Sequence, residues 1–156
     1  MAKEIERKFL VNKSIWDNIK KPEGNHIIQA YIYTSIEKTI RVRITKGKGF
    51  LTIKGKTEGI ARTEYEYEIP VSDAKNLITN FSGPSIDKIR YAIPVNNHIW
   101  EVDVFLGNNK GLLVAEIELK TEDEVFEKPS WIGKEVSHDK RYYNASLESN
   151  PFSNWK

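Results

Sequence analysis

Eight segments of this chain alternate apolar and charged side chains with a period of two, which is the repeat of a β-strand. Turn-forming residues separate several of these segments, and short turns join antiparallel neighbours. The pattern therefore predicts a mainly β chain whose eight antiparallel strands form a sandwich or a closed barrel. The predicted strands are 4–11, 27–34, 39–46, 50–56, 63–69, 88–93, 99–105 and 113–120.

Three further segments are predicted to be short helices. Residues 72–81 give the strongest helical signal, with Ser72 at the start and an apolar stripe spaced at the helical repeat. That stripe consists of Ala74, Leu77, Ile78 and Phe81. Ser14 is expected to cap one or two turns over 14–19, and the tail over 139–147 is weakly helical.

The composition argues against several classes of function and excludes some kinds of site. At 156 residues the chain is most simply one domain, 1–156. The net charge of +2 and the isoelectric point near 8.6 are too small to indicate nucleic-acid or membrane binding. No cysteine is present, so disulfides and thiolate metal sites are excluded. The chain has neither an apolar signal-peptide region nor a membrane-length apolar run, so a cytoplasmic protein is expected.

The charges of each predicted strand lie on one face and the apolar side chains on the other, because residues two apart share a face. Same-sign doublets recur from strand to strand, among them Arg41 with Arg43 and Glu116 with Glu118. A sheet with one solvated face is the commoner cause of such alternation. Neighbouring like charges destabilise a sheet, however, so the repeated doublets indicate a bound ligand that relieves the repulsion.

Acidic and basic groups occur in nearly equal number on this charged face. Carboxylates prefer hard divalent cations, whereas Arg and Lys bind phosphate oxygens. Burying so many charges without water or a ligand would carry a prohibitive free-energy cost. The sequence therefore predicts a hydrated channel with the charged face inside and the apolar face outside. Its expected ligands are a small-molecule triphosphate and two divalent cations, Mg²⁺ or Mn²⁺.

A series of motifs, in order along the chain, then resembles a known family. The first is Glu4-Ile5-Glu6-Arg7-Lys8, a Glu-x-Glu-x-Lys signature that is weak by itself. The later motifs are 41–43, 51–56, 62–68, 88–91, 100–105, 115–119, 133–136 and 141–144. Together they identify the chain as similar to the CYTH family, also called the triphosphate tunnel metalloenzymes.

The resemblance implies an eight-stranded antiparallel tunnel that binds and hydrolyses a triphosphate. It implies metal ligands at Glu4, Glu6, Glu116 and Glu118, with Glu64, Glu66 and Asp103 as further acidic candidates. It implies phosphate contacts from Lys8, Arg41, Arg43, Lys54, Lys56 and Arg90, and Arg62 shares their face. Lys88 and Tyr31 resemble a catalytic pair of the short bacterial tripolyphosphatases, with Lys88 either activating or only positioning the attacking water.

Several functions stay open on this scaffold. The preferred one is metal-dependent hydrolysis of inorganic tripolyphosphate to pyrophosphate and phosphate, because no segment marks an adenine or thiazolium pocket. A class IV-type adenylate cyclase and a thiamine triphosphatase are the alternative enzymes. A non-catalytic polyphosphate-binding module is the alternative from another class, although the paired Glu residues argue against it. The oligomeric state is undecided, with a homodimer as one option.

Overall fold

The computed structural model describes residues 3–155 and confirms the predicted mainly β architecture. The strands are β1 Lys3–Val11, β2 Asn25–Thr34, β3 Lys38–Thr45, β4 Lys48–Gly55, β5 Ala61–Ile69, β6 Ile86–Val95, β7 His98–Phe105, β8 Leu113–Glu118 and β9 Ile132–Glu135. Their order in the sheet is β5-β4-β3-β2-β6-β7-β8-β1-β9, and every named pairing is antiparallel.

The sheet closes because β1 pairs with two strands along one edge. Its first residues pair with β5, with Lys3 opposite Thr63 and Ile5 opposite Ala61. Further along that edge, β1 pairs with β9 instead, with Phe9 opposite Glu135. The eight predicted strands thus form a closed barrel. The short β9 was not predicted, since its four residues show no clear alternation.

The helices lie where the sequence predicts them, but their first and last residues differ from the predicted bounds. They are α1 Lys13–Trp16, α2 Val71–Phe81 and α3 Asn144–Ser149, with a 3₁₀ turn at Lys140–Tyr142 before the last. The prediction that Ser14 caps α1 is wrong, because the side chain of Asn12 accepts the hydrogen bond from the backbone N–H of Ile15 at 3.2 Å. No helix within residues 3–155 is long and apolar enough to cross a membrane.

One apolar core lies outside the barrel wall formed by β1, β7 and β8. Phe9, Trp100 and Ile117 are fully buried there, against Trp16 of α1 and Trp131 of the segment before β9. These aromatic rings meet edge to face, with Phe9 and Trp100 centroids 5.4 Å apart. The outward direction of the apolar face is confirmed on this side. On this side, chain segments outside the barrel supply the hydrophobic packing.

The opposite wall is only partly covered. Helix α2 lies over β2, β3 and β4, where Val42 is completely buried. Beyond the helix, the outer face of β4 and β5 is open to solvent, and Ile53, Tyr65 and Tyr67 are 38%, 41% and 55% exposed. On these two strands, the outward apolar side chains are therefore partly exposed to solvent instead of being packed in a core.

A second apolar cluster lies at one end of the barrel. This apolar end cluster comprises Tyr31, Ile86, Phe105, Leu112, Val114 and Leu147. Ile86 and Phe105 share the face of their strands with the charged residues Lys88 and Asp103, so the apolar end cluster lies on the inner side of the wall. Leu147 of α3 packs into it and holds the helix across this end. The interior is therefore charged in its middle and apolar at one end.

Candidate active site

The charged faces of the strands meet in a central cavity of about 770 Å³. Every predicted site residue except Asp103 lines it. The predicted acidic residues that line it are Glu4, Glu6, Glu64, Glu66, Glu116 and Glu118, and Glu101 of β7 lines it as well. The predicted basic residues that line it are Lys8, Arg41, Arg43, Lys54, Lys56, Arg62, Lys88 and Arg90. Tyr31 lines it as well. Side chains from strands remote in sequence thus converge because the barrel closes between β1 and β5.

The position of each residue along its strand sets its exposure. On β7, the side chain of Glu101 is 43% exposed, whereas Asp103 is 1% and Phe105 is 2% exposed. The strand thus passes from the open part of the cavity to the apolar end cluster. Asp103 lies at that boundary, behind the cavity surface, which is why it does not line the cavity.

Glu4 and Lys54 form one ion-paired group on the cavity wall. Nζ of Lys54 lies 3.1 Å from Oε1 of Glu4 and 3.3 Å from Oε2 of Glu64, and Nε of Arg62 lies 3.6 Å from the same Glu4 oxygen. Burial acts to raise the pKa of Glu4, but Lys54 and Arg62 hold it below its ordinary value. Glu4 is therefore a carboxylate that already faces two cations.

Glu116 is the centre of a second group. Its two oxygens lie 3.4 Å from Nζ of Lys8 and 3.1 Å from an Nη atom of Arg90, and it is hydrogen-bonded to the carboxyl group of Glu6. Burial and the nearby charges of Glu116 and Glu4 raise the pKa of Glu6 to about 8. Glu6 therefore keeps its proton at neutral pH when no ligand is bound, and the neighbouring carboxyl groups of Glu6 and Glu116 share a hydrogen bond. A divalent cation between them would relieve the same repulsion.

The Arg pair of β3 faces a single carboxylate on β5. Nη2 of Arg43 lies 3.1 Å and Nη2 of Arg41 3.5 Å from the same oxygen of Glu66, and the Thr52 hydroxyl donates to that oxygen at 2.8 Å. Burial, with the charges of Arg41 and Arg90, lowers the pKa of Arg43 to about 10. The Glu66 carboxylate alone does not neutralise the two guanidinium groups.

Lys88 is held by the boundary residue Asp103. Nζ of Lys88 lies 2.8 Å from Oδ2 of Asp103 and donates to Oδ1 of Asn144 at 3.1 Å. Arg90 binds the same Asp103 carboxylate through two N–H groups, at 2.7 and 2.9 Å. Burial lowers the pKa of Lys88 to about 8, although Asp103 opposes the shift. Burial also acts to raise the pKa of Asp103, but Arg90 and Lys88 hold it below its ordinary value.

The predicted pairing of Tyr31 with Lys88 takes an indirect form. Both side chains line the cavity, but within residues 3–155 no hydrogen bond joins the Tyr31 hydroxyl to Nζ of Lys88. The backbone N–H of Tyr31 instead donates to Oε2 of Glu148 on α3 at 3.1 Å. Tyr31 and Lys88 are therefore connected through the C-terminal segment that contributes both Asn144 and Glu148.

That C-terminal segment is the part of the site that the sequence motifs did not assign. It lines the cavity with Ser137, His138, Lys140, Tyr143, Asn144, Ala145, Ser146 and Ser149. The phenol ring of Tyr143 also lies under Nζ of Lys8, with 5.9 Å between Nζ and the ring centroid. The motifs 133–136 and 141–144 and a weak helical pattern were the available signals, and none of them showed which side of the tail turns inward.

Gln29 is a second residue that the sequence did not indicate. It is completely buried on β2, directly opposite Arg43 in the register and therefore on the same face. Within residues 3–155, neither of its side-chain amide atoms has a hydrogen-bond partner, and the same is true of Nε in Arg41 and Arg43. Buried polar atoms are usually paired, so this cluster marks a place for ordered water or ligand oxygen behind the cavity wall.

Comparison with known proteins identifies the family of this site. The family model described as the CYTH domain matches residues 2–149. A protein of Acetivibrio thermocellus named inorganic triphosphatase is 47% identical over 157 residues, which cover 100% of this chain and 99% of the relative. A second inorganic triphosphatase, from Nitrosomonas europaea, is 35% identical over 153 residues, covering 92% of this chain and 95% of the relative.

Among solved structures, the inorganic triphosphatase NE1496 superposes with a TM-score of 0.65 at 32% identity, over 95% of each chain. This match spans nearly the whole length of both chains. The family model and the two relatives likewise span nearly the whole chain. This chain therefore belongs to the CYTH family.

Proposed function

We propose that this protein hydrolyses inorganic tripolyphosphate to pyrophosphate and phosphate. The observation that carries the proposal is the convergence of basic side chains from β1, β3, β4, β5 and β6 on one cavity that also contains paired carboxyl groups. Two full-length relatives named inorganic triphosphatase support the same substrate. A compact polyanion without a base or sugar needs charge on all sides, and this cavity provides it.

In this proposal, the bound substrate replaces the carboxylates as the partner of the basic side chains. In the free chain the bases and acids of the cavity neutralise each other, as Lys54 does with Glu4 and Lys8 with Glu116. Phosphate oxygens take over the basic groups, because Arg and Lys form strong charge-assisted hydrogen bonds with them. The basic groups proposed to contact phosphate are Lys8, Arg41, Arg43, Lys54, Lys56, Arg62 and Arg90.

The released carboxylates are the proposed ligands for two divalent cations, Mg²⁺ or Mn²⁺. Within the part of the chain that the structure describes, no three acidic or His side chains are already gathered at metal-binding distance. The donor set nevertheless fits a hard cation, since Glu6 and Glu116 share a hydrogen bond and repel each other once both are charged. The cations would neutralise phosphate charge during the reaction.

The proposed metal ligands are Glu4, Glu6, Glu116 and Glu118, with Glu64 and Glu66 as further candidates. Glu118 lies at the exposed part of the wall, where burial and the charges of Glu4 and Glu64 raise its pKa. Asp103 is not included in this set, because its carboxylate is bound by Arg90 and Lys88 and lies behind the cavity surface. Its proposed role is to position these two cationic groups.

Lys88 and Tyr31 are the proposed catalytic residues. Hydrolysis requires a water molecule in line with the phosphorus–oxygen bond that breaks, and positioning contributes more than covalent chemistry. Lys88 donates to Asp103 and Asn144 as an ammonium group, which favours positioning of that water over base catalysis. Tyr31 faces the same cavity with a free hydroxyl, as judged over residues 3–155.

The proposal is tested by incubating the purified protein with Mg²⁺ or Mn²⁺ and, separately, tripolyphosphate, ATP or thiamine triphosphate. Phosphate release from tripolyphosphate, abolished by EDTA and restored by excess Mg²⁺, is the expected result. Arg7→Ala is the matched control for Arg43→Ala, because Arg7 is paired with Glu135 and does not line the cavity. The control retains activity, whereas Arg43→Ala loses most of it.

Three outcomes would contradict the proposal. Cyclic AMP as the main product from ATP would indicate a cyclase, and faster turnover of thiamine triphosphate would indicate that substrate instead. Tight binding of tripolyphosphate without turnover with any divalent cation would indicate a binding module. A cytoplasmic location and a homodimer stay predictions, to be checked by fractionation of cells and by light scattering of the purified protein.

A further inference from the structure

Asn144 is a cavity residue to which the sequence motifs assigned no chemistry. It begins α3 and lines the central cavity. Its side-chain oxygen Oδ1 accepts a hydrogen bond of 3.1 Å from Nζ of Lys88, a proposed catalytic residue on β6. The C-terminal segment thus contacts the reacting part of the site directly.

The direction of this hydrogen bond fixes the orientation of the Asn144 amide. A lysine ammonium group has three donors and no acceptor, so the amide atom that faces it must be the oxygen. The Nδ2 amino group then turns away from Lys88. The contact with Lys88 is the hydrogen bond that the structure gives this side chain within residues 3–155, and Nδ2 has no acceptor there.

Both ends of this contact are firmly held. Lys88 is anchored to Asp103 at 2.8 Å, and both side chains are 1% exposed. On the other side, Leu147 of α3 packs in the apolar end cluster, and the carboxylate of Glu148 accepts the backbone N–H of Tyr31 at 3.1 Å. Asn144 therefore presents its two amide N–H donors from a preorganised position, which lowers the ordering cost of any hydrogen bond they make.

We propose that Asn144 is a substrate-binding residue whose Nδ2 amino group donates a hydrogen bond to a phosphate oxygen of the bound triphosphate. The inference rests on the proposed function and adds a neutral donor, from outside the barrel strands, to the charged groups that bind phosphate. The same side chain holds Lys88 through its oxygen. Asn144 thereby couples the position of α3 to both substrate binding and the orientation of Lys88.

The test compares three substitutions. Asn144→Ala removes both the donor and the contact with Lys88. Asn144→Asp keeps an acceptor for Lys88 but replaces the donor by a negative charge. Asn150→Ala is the matched control, because Asn150 is an exposed Asn at the end of the same helix and does not line the cavity. Tripolyphosphate binding is measured by calorimetry without divalent cations, followed by kcat and KM with Mg²⁺.

The Kd for tripolyphosphate is expected to rise about 10- to 100-fold in Asn144→Ala, as for loss of a hydrogen bond to a charged group. In Asn144→Asp the rise is at least as large, since phosphate meets a carboxylate instead of a donor. An unchanged Kd in Asn144→Ala would overturn the inference. So would a wild-type Kd in Asn144→Asp beside a raised one in Asn144→Ala, because support of Lys88 would then be the whole role of Asn144.

Failure of this inference is distinguishable from failure of the proposed function. If the wild-type chain and Asn150→Ala hydrolyse tripolyphosphate while Asn144→Ala binds and hydrolyses it equally well, only the inference fails. If the wild-type chain neither binds nor hydrolyses tripolyphosphate, both fail. Melting temperatures of all four proteins accompany the assay, and Asn144→Asp, which retains the Lys88 contact, tests the donor should Asn144→Ala fold poorly.

Discussion

Lys88 and Asp103 form a buried ion pair, with 2.8 Å between Nζ and Oδ2, at the boundary between the charged cavity and the apolar end cluster. Asp103 also accepts hydrogen bonds from two N–H groups of Arg90, so two cationic side chains share this carboxylate. Such a pair is costly to assemble, and removing one partner leaves an uncompensated charge. The pair fixes the orientation of Lys88, a proposed catalytic residue. We attribute the presence of the pair to this role rather than to a contribution to stability.

Asp103→Asn should therefore destabilise the fold and reduce activity. The change leaves Lys88 and Arg90 without their shared anion, and loss of one partner of a buried pair costs about 3–5 kcal/mol in the free energy of unfolding. Urea unfolding measures the loss. Glu101→Gln is the control on the same strand, because the Glu101 side chain is 43% exposed and its substitution should cost about 1 kcal/mol or less. Equal losses in the two variants would contradict the assignment.

Arg43→Ala and Val42→Asp should separate function from folding at adjacent positions on β3. Arg43 lines the cavity, so its loss should lower kcat/KM for tripolyphosphate by about 10- to 100-fold. The melting temperature should change little. Val42 is completely buried beneath α2, and an unpaired carboxylate there should cost more than about 4 kcal/mol of stability. Thermal unfolding and steady-state kinetics measure both. Similar melting temperatures would show that the inward and outward faces are wrongly assigned.

Metal binding should release a proton at neutral pH. Burial and the neighbouring carboxylates raise the pKa of Glu6 to about 8, so its carboxyl group is protonated at pH 7 and must lose that proton to bind a cation. The apparent affinity for Mn²⁺ should therefore increase as pH rises toward 8. Calorimetry in two buffers of different ionisation enthalpy detects the released proton. Glu6→Gln should abolish the proton release, and proton-free binding by the wild-type chain would contradict the prediction.

The same proton should make the metal-free fold less stable at high pH. Between an ordinary value of 4.5 and about 8, the folded chain holds a proton on Glu6 that the unfolded chain has lost. The free energy of unfolding should therefore decrease as pH rises through this window. Unfolding in urea at several pH values with EDTA measures the slope, and Glu6→Gln should flatten it. A slope that is equally steep in Glu6→Gln would assign the effect to other groups.

Trp100→Ala should test the outer core. Trp100 is completely buried and contacts the rings of Phe9 and Trp131 edge to face, so its truncation should cost about 3–5 kcal/mol. Ile99→Ala, one residue away and 58% exposed, should change stability by no more than about 0.5 kcal/mol. Chemical unfolding compares the two. A small loss in Trp100→Ala would show that the outer packing does not stabilise the barrel.

Much of the site was predictable because a strand has an exact period of two. Once Arg41 and Arg43 are assigned to a strand, they must share a face, and the same holds for Glu4 with Glu6. Residues that do not repeat carry no such signal. Gln29 and Asn144 are single polar residues in segments without a charged doublet. Asn144 lies in the motif 141–144, but that motif gave it no role, and no alternation shows that either side chain turns inward.

Asp103 shows the limit of the pattern within a strand. Its parity places it with Glu101 on the inner face, as predicted, but parity gives no depth along the barrel. The structure places it between the open cavity and Phe105, where Lys88 and Arg90 occupy its carboxylate. A residue that resembled a metal ligand from its spacing is thus held in an ion-pair network.

The sequence by itself determined the eight barrel strands, their two faces and the combination of acids and bases that the inner face presents, because these follow from local periodicity and side-chain chemistry. The tertiary structure decided how far along the barrel each charge lies, which acid meets which base, and where the C-terminal segment docks. Those depend on sheet register and on contacts between residues remote in the chain, such as Lys88 with Asn144, which no local repeat encodes.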